Sequence, residues 1–280
     1  MENKVTLTAH RGWRAKYPEN TMRGFREALK LDIDSVEMDA HMTKDYHIVV
    51  CHDARLDRTT DMTGAIHNLT LEEVRKADAG IKFGEEFKGE KIPTFEEFLE
   101  LMATRPDLKL LLELKDYPEE LGDFAYASAE LTLSLCKKYG VFGKDRLTVI
   151  TFSTGICAWL RTRYTKEDFS IHGFYPKAKM KGYTSDDPYK YYDEVCLFNS
   201  SDKDAQGFPI QHDSIVADKA RYTEFALMGI KPCVYYKLNT DENVYRESFE
   251  NGALGFTCDD PDICGQILDK IGARKLKNKT

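Results

Sequence analysis

Val36-Glu37-Met38-Asp39-Ala40-His41 decides how this chain is read. Side chains alternate across a strand, so Glu37, Asp39 and His41 share one face while Val36, Met38 and Ala40 share the other. Carboxylates near the end of a buried strand are costly unless they bind something. Three further apolar runs end in the same way. One closes on Ala9-His10-Arg11-Gly12, one on Cys51-His52-Asp53, and one reads Leu110-Leu111-Leu112-Glu113-Leu114-Lys115. A single set of strand ends therefore carries two histidines, three carboxylates, a lysine and an arginine.

Outward from these runs, short apolar segments alternate with helical patterns along most of the chain. Strands are expected at 5–9, 33–39, 47–52, 108–114, 146–152, 169–172, 194–198, 231–236 and 253–256. A turn around Lys44-Asp45 joins the second and third. Helices are expected at 20–31, with Asn20 or Thr21 as cap, at 119–139, through Trp159 to residue 164, and at 214–228, 241–251 and 260–271. This alternation over roughly 250 residues predicts an α/β fold with a parallel sheet, and a TIM (β/α)8 barrel fits the length. The competing fold is a doubly wound sheet. No Gly-x-Gly-x-x-Gly follows the first strand, which weakens its dinucleotide-binding form. In a barrel, reactive groups at C-terminal strand ends fall where active sites sit.

Residues 54–91 interrupt the rhythm with Arg58-Thr59-Thr60, Gly64, a short helical stretch at 71–76, and Phe83-Gly84 through Gly89. No composition shift marks them as independent. The expected organisation is one domain over 1–280 with a small insertion after an early strand. Residues 173–213 are also irregular, with Tyr175-Pro176, Asp186-Asp187-Pro188 and Gly207-Phe208-Pro209.

A net charge of −7 argues against a nucleic-acid partner, and the basic tail at 273–279 reads as a solvated terminus. The N-terminus lacks an apolar h-region, and no apolar run reaches the roughly 18 residues of a membrane span. A cytoplasmic protein without stable membrane insertion is expected. The seven cysteines form no Cys-x-x-Cys pair and no zinc-like spacing. Several, such as Cys51, Cys157 and Cys233, sit in apolar surroundings and read as buried free thiols in a reducing compartment.

Glu37 and Asp39 make half of a hard-cation site, and Glu113 is the natural third ligand for Mg²⁺ or Ca²⁺. Taken alone, the first two fit ion pairs with arginine or lysine equally well. His10 and His52 each close an apolar run. Splitting a phosphodiester needs a base for the attacking oxygen and an acid for the leaving alkoxide, and histidine serves either role near neutral pH. Arg11 and Lys115 suit phosphate oxygens, the first as a fork and the second as a point charge. Asp53 either orients an imidazole or caps the following turn. His41 is expected to support the site rather than react. His47, His67, His172 and His212 read as structural. Phe152 and Tyr236 are candidates to line an alcohol or acyl pocket.

These motifs together carry a resemblance. Ala9-His10-Arg11-Gly12, Pro18-Glu19-Asn20-Thr21, Glu37-Met38-Asp39, Thr43-Lys44-Asp45, His52-Asp53, Arg58-Thr59-Thr60, Ile92-Pro93-Thr94 and Glu113-Leu114-Lys115 resemble the glycerophosphodiester phosphodiesterase family in order and spacing. Weaker echoes follow at Thr151-Phe152-Ser153 and from Gly255 to Asp262. The resemblance implies a TIM barrel with an insertion after the second histidine. It implies His10 and His52 as the acid/base pair, Glu37, Asp39 and Glu113 around one divalent metal ion, Mg²⁺ or Ca²⁺, and Arg11 and Lys115 on the phosphate. The implied substrate is a small glycerophosphodiester, cleaved to sn-glycerol 3-phosphate and an alcohol. The sequence departs from the family pattern at Asp45-Tyr46, where Asp-Gly is usual, in the bulky Trp13-Arg14-Ala15-Lys16-Tyr17, and at Lys237-Leu238-Asn239-Thr240. None of these removes a catalytic or metal residue. The alternatives are a lysophospholipase D-like enzyme with an apolar groove from Trp13, Phe83 and Phe87, and a barrel that binds phosphate compounds without catalysis.

Overall fold

The computed structural model describes residues 4–183, 187–198 and 217–275. In chain order the elements are β1 (Thr6–Ala9), α1 (Met22–Ala28), β2 (Ser35–Met42), β3 (Ile48–Val50), α2 (Leu71–Val74), α3 (Phe95–Ala103), β4 (Lys109–Leu114), α4 (Pro118–Leu121) and α5 (Asp123–Lys138). They continue with β5 (Leu147–Ile150), α6 (Thr154–Arg161), β6 (Ser170–Tyr175), β7 (Glu194–Leu197), α7 (Lys219–Leu227), β8 (Lys231–Tyr236), α8 (Glu242–Asn251), β9 (Gly255–Cys258) and α9 (Pro261–Lys270).

The strands pair in the order β1-β9-β8-β7-β6-β5-β4-β2, and β1 pairs back onto β2. All eight of these pairings are parallel, so the sheet closes into the (β/α)8 barrel expected from the sequence. Alternation sorts the side chains. Leu7, Val36, Met38, Leu110, Leu112, Val149, Ile171, Val195, Val234 and Phe256 join the helices in one apolar cluster. The intervening residues face the barrel interior, and many are polar. Thr6, Thr8, Ser35, Lys109, His172, Glu194, Lys231 and Thr257 surround a cavity of about 150 Å³ at the N-terminal end. Barrel interiors are usually filled by branched apolar residues, so this lower half is unusually polar.

The strand expected at 47–52 is real but is no stave of the barrel. It shortens to β3 and runs antiparallel to β2, pairing Ala40 with Val50 and Met42 with Ile48. β2 outgrows its neighbour: Ser35 and Val36 pair with β1, and the last three residues pair with β3. The hairpin folds the chain back, and Cys51 N–H reaches Asp39 O at 3.1 Å. His52 is thereby returned to the level of the barrel carboxylates.

Residues 54–91 lie between β3 and α3. They carry α2 and several short turns around a second apolar cluster that includes Cys51, Leu56, Ile66, Val74, Ala79 and Ile92. Helix α3 was not anticipated. Its signal is present: Thr94 and Glu97 form a reciprocal capping box, and Phe95, Phe98, Leu99 and Met102 recur at helical spacing and are buried. The helix expected at 119–139 breaks at Gly122, whose φ of 56° a helix interior does not accommodate. The strand expected at 169–172 continues to Tyr175, and the last strand shifts to Gly255–Cys258. Of the helix expected at 214–228, residues 214–216 lie outside the described residues, as do His212 and most of the basic tail. All seven cysteines are free and buried. No described helix is long and apolar enough to cross a membrane.

Candidate active site

Asp39 and Glu113 are direct neighbours across the β2–β4 ladder, and Glu37 lies two residues earlier on the same face of β2. Register therefore brings the three carboxylates together, and their oxygens lie within 4.8 Å of one another with all three residues buried. Glu37 Oε2 accepts the Arg11 backbone N–H at 2.9 Å. Asp39 Oδ2 accepts Asn20 Nδ2–H at 2.8 Å and lies 3.2 Å from Arg11 Nε. Glu37 Oε1 and Asp39 Oδ1 are buried without a hydrogen-bond partner. Buried acceptors left without donors are costly, and a set of three oxygen donors suits a hard divalent cation. The residues fit such an ion.

The electrostatics follow from the crowding. Burial, then the Asp39 charge, pushes the Glu37 carboxyl well above its usual range. Burial opposes ionisation of Asp39 too, but His52, Arg11 and Lys115 outweigh it and hold that carboxyl well below its usual range. Burial alone would lower the Arg11 guanidinium, yet Asp39, Glu19 and Glu37 more than restore its charge. The same balance, with Glu113 and Asp39 as partners, raises Lys115. Arg11 adopts a left-handed backbone, φ 56°, which strains a residue with a long side chain. Its N–H on Glu37 and its carbonyl, which accepts Asn20 N–H at 3.1 Å, hold it there.

Each of the two histidines is braced by a carboxylate through Nδ1. His10 Nδ1 lies 2.6 Å from Asp259 Oδ1, and His52 Nδ1 lies 2.6 Å from Asp53 Oδ1. Nε2 of each ring is left for the site: on His10 it is 3.9 Å from Glu37 Oε2, and on His52 it accepts Lys115 Nζ–H at 3.0 Å. Lys115 also donates to Glu113 Oε1 at 2.9 Å. Burial, with Arg11 beside one ring and Lys115 beside the other, lowers both imidazoles to about 4. His10, Arg11, Glu37, His52 and Glu113 line one cavity of about 160 Å³ whose opposite wall is aromatic. In that wall Phe152 and Phe174 stack with ring centres 3.7 Å apart, and Phe198 packs on Phe174.

The structure thus brings together His10, Arg11, Glu37, Asp39, His52, Glu113 and Lys115. Asp53 does orient an imidazole. His41 supports the site from behind: its Nδ1 meets Asp116 Oδ1 at 2.7 Å, and its Nε2 lies 3.3 Å from the carbonyl of His52. Phe152 lines the cavity, but Tyr236 does not. It is buried, with its hydroxyl on Ser248 Oγ at 2.6 Å, and Tyr235 faces the cavity instead. Of the suggested apolar groove, Phe87 is buried and Trp13 donates Nε1–H to Asp260 Oδ1 at 3.0 Å. His172 is not merely packing, since it lines both barrel cavities, with Nδ1 3.4 Å from Glu194 Oε2. His172, Glu194 and Cys233 also gather three potential ligand atoms. There Lys109 Nζ, 3.7 Å from Glu194, already supplies positive charge.

Sequence reasoning missed Asp259, Asn20, Asp116 and Tyr235. Asp259 had a usable signal, because it ends an apolar strand as Glu113 does. Tyr235 lies in β8, where alternation sets it on the face opposite Tyr236, while Asn20 and Asp116 act from loops that no strand pattern encodes.

A (β/α)8 barrel whose strand ends gather two carboxylate-braced imidazoles, three buried carboxylates and two cations defines a class of site suited to a charged ester. The chain belongs to the glycerophosphoryl diester phosphodiesterase family, whose family model matches residues 10–262. It is similar to a glycerophosphodiester phosphodiesterase of Caldanaerobacter subterraneus subsp. tengcongensis, 47% identical over 112 residues. That stretch covers 40% of this chain and 46% of the relative, less than half of its length. A Silicibacter pomeroyi crystal structure attributed to the same class superimposes with a TM-score of 0.78 at 21% identity, covering 98% of this chain and 96% of that one. An Oleispira antarctica phosphodiesterase, solved in complex with the product sn-glycerol-3-phosphate, gives a TM-score of 0.73 at 22% identity, over 94% and 96% of the two chains. At these identities the two structures share the fold.

Proposed function

We propose that this protein hydrolyses glycerophosphodiesters to sn-glycerol 3-phosphate and an alcohol. The carrying observation is the pair of imidazoles, each braced through Nδ1 and presenting Nε2 beside a buried carboxylate triad. Family membership supports the reading, as does the likeness to a barrel that binds sn-glycerol-3-phosphate.

Glu37, Asp39 and Glu113 would hold one divalent cation, Mg²⁺ or Ca²⁺. When bound, such a cation neutralises phosphate charge and lowers the pKa of a coordinated hydroxyl. Arg11 and Lys115 bind and orient the phosphate oxygens. The attacking water gives its proton to one imidazole Nε2 as its oxygen bonds to phosphorus; where the glycerol 2-hydroxyl attacks instead, the cyclic phosphate it forms is opened by water in a second step, the two imidazoles exchanging roles. The phosphorus–oxygen bond to the alcohol breaks, and the alkoxide takes a proton from the other imidazole. With both rings near 4, the resting site at pH 7 holds two neutral bases. An anionic phosphate offsets the Arg11 and Lys115 charges that depress them, so substrate binding itself favours the protonated partner.

We also read 1–280 as one barrel domain carrying 54–91 as an insertion. The seven buried free thiols favour a reducing, cytoplasmic setting. The aromatic wall of Phe152, Phe174 and Phe198 keeps a lysophospholipase D-like activity as the second reading.

The test is glycerol 3-phosphate release from glycerophosphocholine with EDTA, Mg²⁺ or Ca²⁺. Release that EDTA abolishes and a divalent cation restores supports the proposal. Choline release from lysophosphatidylcholine alone, with lysophosphatidate as the other product, transfers it to the second reading. Release from neither with either cation overturns catalysis and leaves a phosphate-binding barrel.

A further inference from the structure

The insertion does more than cover a strand end. Together with the loop after β1 it encloses a second pocket of about 230 Å³, lined by Arg14, Glu19, Arg58, Thr59, Lys82 and Phe83 among others. The pocket is one side chain away from the catalytic groups on two sides. Glu19 Oε1 accepts Arg11 Nη1–H at 2.9 Å, and Arg58 Nε–H reaches Asp53 Oδ2 at 2.7 Å, the same carboxylate that braces His52.

Three cations and one carboxylate face this pocket. Arg14 and Arg58 both lean on Glu19, at 3.0 Å and 2.6 Å. Burial would raise the Glu19 carboxyl, but the Arg58 hydrogen bonds and the Arg11 and Arg14 charges hold it near 2, so it is ionised and fully used. The remaining acids nearby are also committed: Asp53 to His52, and Asp259 to His10 and Arg14. Lys82 contacts only a backbone carbonyl, that of Asp57, and has no carboxylate partner among the described residues. Thr59 adds a hydroxyl and Phe83 an exposed apolar face. Lys82 is thus the cation of this pocket whose charge no carboxylate meets, and such a group beside a phosphodiester site suits a second anion.

Resting on the phosphodiesterase reading, we propose that this pocket is an anion subsite for the leaving alcohol, so that the site prefers glycerophosphodiesters whose alcohol carries its own phosphate. The phosphate being cleaved lies at His10, Arg11, His52 and Lys115. The alcohol then extends over Glu19 toward Lys82 and Arg58, and the glycerol takes the aromatic side of the cavity. The insertion thereby sets substrate choice, while the barrel supplies the chemistry.

The experiment compares kcat/KM for glycerophosphoinositol and glycerophosphoinositol 4-phosphate, which differ by one phosphate on the alcohol, in wild type, Lys82→Glu and Lys138→Glu. Lys138 is exposed at the C-terminal end of α5, away from the insertion, and controls for net charge. The expected wild-type preference for the 4-phosphate is about tenfold, the size of one charge-assisted hydrogen bond, and it shrinks with added salt. Lys82→Glu abolishes or reverses the preference, and Lys138→Glu keeps it. Equal kcat/KM values in wild type, or a preference that Lys82→Glu leaves intact, overturn the subsite while the phosphodiesterase reading stands. Hydrolysis of neither glycerophosphoinositol overturns the subsite, and only failure on glycerophosphocholine as well overturns that reading.

Discussion

His10 and Asp259, 249 residues apart in the chain, meet at 2.6 Å because β1 and β9 are neighbours in the closed barrel. Asp259 also receives the Tyr235 hydroxyl at 3.2 Å and Arg14 Nη1 at 3.2 Å, so it fixes the His10 ring within a rigid frame. Asp259→Asn preserves the shape but favours the wrong tautomer. The expected outcome is a loss in kcat on the order of 10²-fold with little change in melting temperature. Steady-state kinetics and a thermal melt of the same preparation check it.

The three buried carboxylates repel one another, and two of their oxygens lack donors. A bound divalent cation therefore stabilises the folded state, by about 2.7 kcal/mol at a hundredfold excess over Kd. Wild type is expected to melt higher with Mg²⁺ or Ca²⁺ than with EDTA. Glu113→Gln or Asp39→Asn should shrink that shift. A melt that ignores both cations would remove the metal from the site.

Glu194 predicts an acid-dependent stability. Burial opposes its charge, but His172, Lys231 and Lys109 lower its carboxyl from 4.5 to about 2. Its folded pKa is depressed, so its contribution is present above about 4.5 and is lost as pH falls toward 2. The gap is worth roughly 3 kcal/mol at most. Glu194→Gln is expected to be less stable than wild type at pH 6, with the difference cut to less than half at pH 3. Urea midpoints at the two pH values test this.

Gly173 in β6 faces the buried ring of Tyr192, and a Cβ there would lie 2.0 Å from a ring carbon. Neither the strand nor the fully packed tyrosine can yield cheaply. Gly173→Ala is expected to cost about 1–3 kcal/mol or more, read as a lower urea midpoint with an unchanged slope.

Much of this was legible in the sequence, for identifiable reasons. Alternation along 36–41 and the apolar run ending at Glu113 located the carboxylates, because parallel strands buried on both faces leave a clear pattern. His10 stood out for the same reason, and His52 because it closes a short apolar run of its own. What escaped depended on tertiary closure. Asp259 matters only because the last strand returns to the first. His41 turns to Asp116, a partner 75 residues away, which no periodicity reveals. The antiparallel direction of β3 depended on a hairpin whose turn residue, Tyr46, adopts φ 63° where glycine is usual. Helix α3 had a capping box and an apolar stripe in plain view, yet it lay hidden behind the insertion that precedes it.

His10 and His52 are proposed to move protons at a site whose cation is held by other residues. The most direct test measures sn-glycerol 3-phosphate release at saturating Mg²⁺ in wild type, His10→Ala and His52→Ala, with the Mg²⁺-induced thermal shift recorded alongside. The expected result is a fall in release of at least about 10²-fold in each variant while the thermal shift persists. Release at the wild-type rate in either variant would contradict it.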